Sequence, residues 1–118
     1  MSILATIFVI LVALEHFYIL ALEMFFLSSK AARRTFGLTD EAVASKQIQT
    51  LFANQGLYNG FLAAGLVFGL IRDDVAIQIF FLACVIIAAL YGALTANRSI
   101  LLKQGLPAIL GLIFVLLA

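Results

Sequence analysis

Four long apolar stretches make up most of this 118-residue sequence, and they restrict the fold more than any other feature. Hydrophobic residues account for 65% of the chain and charged residues for 11%, whereas soluble domains carry about 25% charged residues. A helix needs about 20 mainly apolar residues to cross a bilayer. The sequence therefore predicts an all-α integral membrane protein, built as a bundle of four transmembrane helices.

The four predicted spans cover residues 3–27, 49–71, 75–96 and 100–118, and residues 1–118 are expected to form a single transmembrane domain. The polar connection 28–48 contains Thr39, which can cap a helix that begins near Asp40 and continues into the second span. Pro107 indicates that the last helix begins near Leu106 or is kinked.

The distribution of basic residues predicts the orientation in the membrane. Arg72 stands alone on one side, beside two aspartates; the other side carries Lys30, Arg33, Arg34, Lys46, Arg98 and Lys103. Because basic residues favour the cytoplasmic side, the loops 28–48 and 97–104 are expected to be cytoplasmic. Both chain termini are then outside.

Three polar residues interrupt the first apolar stretch: Glu15, His16 and Glu23. A charged side chain inside a bilayer costs several kcal/mol unless it is paired, protonated or facing water. At about 100° per residue all three fit on one third of the helix, and Glu23 lies about 12 Å along the axis from Glu15. They are therefore the first candidates for a functional site.

The second span supplies candidate partners in the segment NQGLYNG, namely Asn54, Gln55, Tyr58 and Asn59. If both spans are centred in the bilayer and antiparallel, Asn59 lies level with Glu15. Asn54 and Gln55 then lie near the depth of Glu23. Amide groups can donate hydrogen bonds to a carboxylate and stabilise it.

Tyr91 extends the predicted site to the third span, again in the cytoplasmic half. The outer half of the spans consists mainly of Leu, Ile, Phe and Val. This distribution predicts a polar cavity that opens toward the cytoplasm or the inner leaflet.

Small residues at four-residue spacing allow close helix packing, as in Gly56 with Gly60 and Gly65 with Gly69. Ordinary packing within the chain is the main interpretation, and a homodimer formed through such a motif is the alternative.

Several functions remain open for the polar residues. The site binds a small cytoplasmic molecule or a lipid headgroup, or it is a structural polar core that fixes which helices pair. Glu15, His16 and Glu23 are also candidate metal ligands of a membrane enzyme, although the chain has a single histidine and lacks the HExxH spacing. A membrane glutamate beside a histidine could serve proton-coupled transport. No motif identifies a cofactor, and no basic, aromatic surface indicates a nucleic-acid partner.

The segments ALEHFYILALEMF (13–25) and ANQGLYNGFLAAGLVFG (53–69), with FGLT (36–39), resemble the signature of a family of small bacterial membrane proteins catalogued as a domain of unknown function. The resemblance covers nearly the full chain. It implies four transmembrane helices in a bacterial inner membrane. It also implies that seven of the polar residues above are motif positions: Glu15, His16, Glu23, Asn54, Gln55, Tyr58 and Asn59.

Overall fold

The computed structural model describes residues 2–96 and 98–118, and most of these residues are helical. The helices are α1 (Ile3–Met24), α2 (Lys30–Phe36), α3 (Asp40–Ala44), α4 (Lys46–Ile71), α5 (Val75–Thr95) and α6 (Leu106–Leu117), and a π-helical turn at Leu101–Gly105 precedes α6. The all-α prediction is confirmed. Asn97, which the sequence places in the third connection, lies outside the described residues.

Two of the described helices, α1 and α5, are long and apolar enough to cross a membrane. The C-terminal segment Leu101–Leu117 is apolar but shorter. Helix α4 has 26 residues, and the polar segment NQGLYNG lowers its hydropathy. Four of the residues that suggested a functional site thus lie in the segment that lowers the hydropathy of α4.

The connection between α1 and α4 contains two short capped helices. The Ser29 hydroxyl accepts a hydrogen bond from the Ala32 N–H at the start of α2, and the Thr39 hydroxyl accepts one from the Ala42 N–H at the start of α3. The predicted cap at Thr39 is confirmed. The prediction that this helix continues into the second span is wrong, because Ser45 has an extended backbone between α3 and α4.

Pro107 occupies the first turn of α6, which begins at Leu106 as the sequence predicts. The Leu106 N–H reaches back five residues to the Leu101 carbonyl, as in a π-helix. Proline has no N–H and its ring clashes with the carbonyl four residues earlier in an α-helix. The wider turn that precedes Pro107 avoids this clash.

Contacts divide the chain into two compact units, which we call the terminal unit (Met1–Glu15 with Leu62–Ala118) and the central unit (His16–Phe61). A buried cluster forms the core of the terminal unit: Ala5, Val9, Val12, Ala13, Leu66, Leu82, Val85, Ala108 and Val115. In the same unit Phe8 stacks on Phe114 with ring centroids 5.2 Å apart. The single transmembrane domain stays a prediction.

Gln78, a fully buried polar residue of the terminal unit, gives a first testable prediction. Its Nε2 donates to the Gly69 carbonyl over 3.1 Å, while its buried Oε1 has no partner among the described residues. The Gly69 carbonyl also accepts from the Asp74 N–H over 2.9 Å, so it stays bonded without Gln78. An unsatisfied buried acceptor costs about 1–3 kcal/mol. We expect Gln78→Met, which keeps the shape, to raise the free energy of unfolding by about 1 kcal/mol in denaturant titrations.

The matched control for this prediction is Gln78→Ala, which also removes both polar atoms. It leaves an empty volume among buried side chains, so its free energy of unfolding should fall below that of the natural protein. If the methionine variant were as unstable as the alanine variant, the hydrogen bond to Gly69 would outweigh the unpaired oxygen and the prediction would be wrong.

Candidate functional site

The central unit brings α1 and α4 close together at two glycines. A Cβ atom built on Gly56 would lie 2.6 Å from Met24 Cγ and 3.0 Å from Glu23 Cβ. One built on Gly60 would lie 2.5 Å from Leu20 Cδ1. The predicted packing role of this glycine pair is therefore confirmed, and its partner is α1 of the same chain. The homodimer remains a prediction.

Glu23 is the centre of the site that results. Its side chain is only 5% exposed, and its Oε1 accepts a hydrogen bond from Asn59 Nδ2 over 2.6 Å. An amide from α4 thus offsets part of the cost of burying the carboxyl group of α1.

The pairing differs from the predicted register. Asn59 bonds to Glu23, about two turns along α1 from Glu15, with which the sequence places it level. The prediction assumed that both spans share a midpoint. The contacts of Gly56 and Gly60 with residues 20–24 of α1 set the register instead.

A cavity of about 200 Å³ adjoins Glu23 in the central unit. Its lining comes from the end of α1, the following turn, α3 and the start of α4: Glu23, Met24, Phe25, Leu27, Ser28, Val43 and Gln49. Gln49 Nε2 donates to the Val43 carbonyl over 2.7 Å, which ties α3 to α4 on one wall. The cavity therefore combines a buried carboxyl group with a hydroxyl, an amide and apolar walls.

Arg33 of α2 stabilises the turn that forms the edge of this cavity. Its Nε donates to the Ser28 carbonyl over 3.2 Å, and its guanidinium group pairs with the Asp40 carboxylate. The charge of Arg33 is thus balanced by a neighbour on α3. The pair also connects the start of α3 to the end of the α1–α2 turn.

The other predicted residues of α1 lie in two environments. His16 is 1% exposed, and Glu15 is half-buried. Among the described residues, the buried Oε1 of Glu15 has no hydrogen-bond partner. Because α1 passes from the terminal to the central unit between these two residues, each belongs to a different unit.

The remaining predicted residues are exposed: Asn54, Gln55, Tyr58 and Tyr91. On α4, Tyr58 contacts Phe61 edge to face, and Gln55 lies with Leu51 and Phe52 in a shallow depression of about 300 Å³. In the terminal unit the Tyr91 carbonyl accepts from the Thr95 hydroxyl. Of the polar residues predicted on α4, the structure thus joins Asn59 to Glu23 and leaves the others at the surface.

Glu15, His16 and Glu23 are also the candidate metal ligands predicted from the sequence. Across residues 2–96 and 98–118, no group of three or more His, Cys, Asp or Glu side chains is arranged to hold a metal ion.

The sequence reasoning missed Ser28, Val43 and Gln49, which line the cavity. For Gln49 the signal was present in the spacing. It lies seven residues before Gly56, which places it within about 20° of that glycine on α4 and therefore on the face that packs against α1. Ser28 and Val43 come from the α1–α4 connection, where no helical periodicity points to a shared site.

Comparisons with known proteins agree with the resemblance of the sequence motifs. Residues 10–116 match the family model described as "Protein of unknown function (DUF1304)". The chain is also 45% identical to the uncharacterized protein YpaA of Lactococcus lactis subsp. lactis (strain IL1403), over 96% of this chain and 97% of the relative. No solved structure matches the chain. The chain therefore belongs to the DUF1304 family of proteins of unknown function.

Proposed function

We propose that this protein crosses a bacterial inner membrane four times and binds a small ligand in the Glu23 cavity from the cytoplasmic side. The exposure of α1 and α5 supports the membrane location. Only 33% and 22% of their most apolar stretches are buried, whereas the core helix of a soluble protein is mostly buried. Surfaces this apolar are rare on soluble monomers.

The other two proposed spans are α4 and the C-terminal segment. Helix α4 is about 39 Å long at 1.5 Å per residue, which exceeds the roughly 30 Å hydrocarbon core of a bilayer. Its polar face contains Asn59, which bonds to Glu23, so part of its polarity is compensated within the chain. The segment Leu101–Leu117 is apolar. It begins with the π-helical turn, which contains Lys103 and follows shortly after Arg98.

Thiol labelling tests the orientation. In a Cys84→Ser background, Thr35→Cys places a thiol on exposed α2, and Arg72→Cys places one in the exposed α4–α5 turn. A membrane-impermeant maleimide should label the Arg72→Cys variant in intact cells and the Thr35→Cys variant only in inverted vesicles. The opposite pattern, or labelling of both variants from one side, contradicts the proposed topology.

The observation that carries the ligand proposal is the position of Glu23. The carboxyl group is 5% exposed, is held by Asn59, and lines a cavity that also presents Ser28 and Gln49. In the proposed orientation this cavity adjoins the basic, cytoplasmic connection. Concave cavities with a few placed polar groups are typical ligand sites.

Native mass spectrometry of the gently purified protein tests ligand binding. We expect a small molecule or lipid to be retained by the natural protein and lost in Glu23→Gln, because glutamine keeps the acceptor for Asn59 but removes the charge. Glu41→Gln is the matched control, since Glu41 is an exposed carboxylate of α3. Retention of the same molecule in Glu23→Gln contradicts a role for the carboxylate in binding.

A structural role is the second candidate, and the Glu23–Asn59 bond itself favours it. The bond lies beside the close approach at Gly56, where it can fix the register of α1 against α4. Polar pairs of this kind hold membrane helices together. In that case the variants of Glu23 would change the free energy of unfolding and would not change ligand retention.

A further inference from the structure

The charge of the Glu23 cavity indicates which ligands it can accept. Of the described residues that line it, Glu23 alone has a readily ionisable side chain, a carboxyl group. Arg33, which contacts the cavity edge through the Ser28 carbonyl, is paired with Asp40. A negative ligand would therefore meet a buried carboxyl group without a compensating cation on the walls.

The polar groups beside Glu23 are also suited to a ligand that donates hydrogen bonds. Gln49 uses one Nε2 hydrogen to bond the Val43 carbonyl, and its Oε1 can accept a hydrogen bond from a ligand. The Ser28 hydroxyl can accept as well as donate. The lining thus presents oxygen acceptors around one acidic group.

Phe25 and Met24 supply the apolar walls beside these acceptors. An aromatic face attracts a cation by about 0.5–1 kcal/mol at an exposed site and more where water is excluded. A carboxyl group with an adjacent aromatic ring is a combination that recognises ammonium groups. The cavity, at about 200 Å³, is smaller than the roughly 300–1,000 Å³ typical of drug-sized ligands.

We propose that the Glu23 cavity binds an ammonium group, carried either by a free organic amine or by an amine-bearing lipid headgroup. The inference rests on the proposed ligand-binding function and names its substrate class. Glu23 would pair with the ammonium, Gln49 and Ser28 would accept hydrogen bonds from its N–H groups, and the face of the Phe25 ring would contact the cation.

Thermal unfolding of the full chain with defined probes tests the proposal. For the free amine we would add ethanolamine to the detergent-purified protein, with glycerol as the neutral probe and glycerol phosphate as the anionic probe. For the lipid source we would compare nanodiscs of phosphatidylglycerol with and without phosphatidylethanolamine. We expect an amine-dependent rise in melting temperature in at least one arm. A rise with ethanolamine indicates a soluble amine, and a rise with phosphatidylethanolamine alone indicates a headgroup.

Two matched pairs of variants assign this effect to the cavity. Glu23→Gln should abolish the amine-dependent rise, and Glu41→Gln should retain it. Phe25→Leu should weaken it, and Phe26→Leu should retain it, because both phenylalanines are exposed but only Phe25 lines the cavity. The phenylalanine pair keeps the test decisive if the Glu23 variant does not fold.

The failures of the two proposals are distinguishable. If glycerol or glycerol phosphate raises the melting temperature in a Glu23-dependent manner and amines do not, the ligand site stands and the ammonium assignment is overturned. If an amine stabilises Glu23→Gln or Phe25→Leu as much as the natural protein, the assignment to this cavity is overturned. If no probe stabilises the protein and no molecule is retained in native mass spectra, both proposals fail.

Discussion

Replacing Gly56 with alanine is expected to lower the free energy of unfolding by about 1–3 kcal/mol, the usual cost of overfilling a packed site. The new Cβ would lie 2.6 Å from Met24 Cγ, 3.0 Å from Glu23 Cβ and 3.3 Å from the Leu20 carbonyl oxygen. Because the last of these is a backbone atom, α1 itself must move. We expect the shift of α1 to lengthen the hydrogen bond between Glu23 and Asn59. Denaturant titrations followed by circular dichroism measure the loss in free energy of unfolding.

Gly111→Ala is the control for this variant. Gly111 is a helical, buried glycine of α6, and a Cβ there would have its nearest neighbours at 3.5 Å, an ordinary contact distance. With no clash, only the better helix propensity of alanine remains, worth up to about 1 kcal/mol. The control should therefore be as stable as the natural protein or more stable. Equal destabilisation of the two variants would mean that the tight contact at Gly56 is not the cause.

Several helices were predictable from sequence because their positions depend on signals within their own segments. Apolar length marks α1 and α5, the Thr39 hydroxyl caps α3, and Pro107 begins α6. The cap and the proline act within about one turn of the residue that carries them. The break at Ser45 was missed because the Thr39 cap marks where a helix begins and not where it ends. The break comes from the extended backbone of that one residue.

The candidate site was predictable only in part, because pairing between distant helices depends on packing. Depth alone matched Asn54 and Gln55 to Glu23, and Asn59 to Glu15. The direction of close approach separates them. Asn59 lies about 60° from Gly56 around α4, whereas Asn54 and Tyr58 lie about 160° away, on the opposite face. Had Gly56 been taken as the point of contact with α1, Asn59 and Gln49 would have emerged as polar residues near that side of α4.

The resemblance to a family of unknown function supplied motif positions without saying what each does. In the structure six of these seven positions divide into two sets, and Glu15 is half-buried in the terminal unit. Glu23 and Asn59 bond to each other, and His16 is buried on the same helix. Asn54, Gln55 and Tyr58 are exposed on α4. Their polar groups would therefore contact whatever surrounds the chain, a membrane or a partner. A shared motif therefore does not imply one shared site.

Asn59→Leu is expected to lower the free energy of unfolding by about 1–3 kcal/mol, because it leaves a buried acceptor without its partner. Removing the Glu23 carboxyl group as well should restore part of the lost stability. In the double variant Glu23→Met with Asn59→Leu, both polar groups give way to apolar ones of similar size, which is nearly neutral when the shape is kept. We therefore expect the double variant to be more stable than Asn59→Leu alone, with a coupling energy of about 0.5–3 kcal/mol in a double-mutant cycle.

The same pair of variants separates the two candidate functions. If the Glu23–Asn59 bond serves only to pair the helices, the stable double variant should keep whatever phenotype or partner the natural protein has. If the carboxyl group holds a ligand, the double variant should fold and yet lose the molecule seen in native mass spectra. Stability and ligand retention then move in opposite directions in one protein, which no purely structural role of Glu23 produces. A double variant that is stable and still retains the ligand would leave Glu23 as a packing residue, and the binding site would have to lie elsewhere.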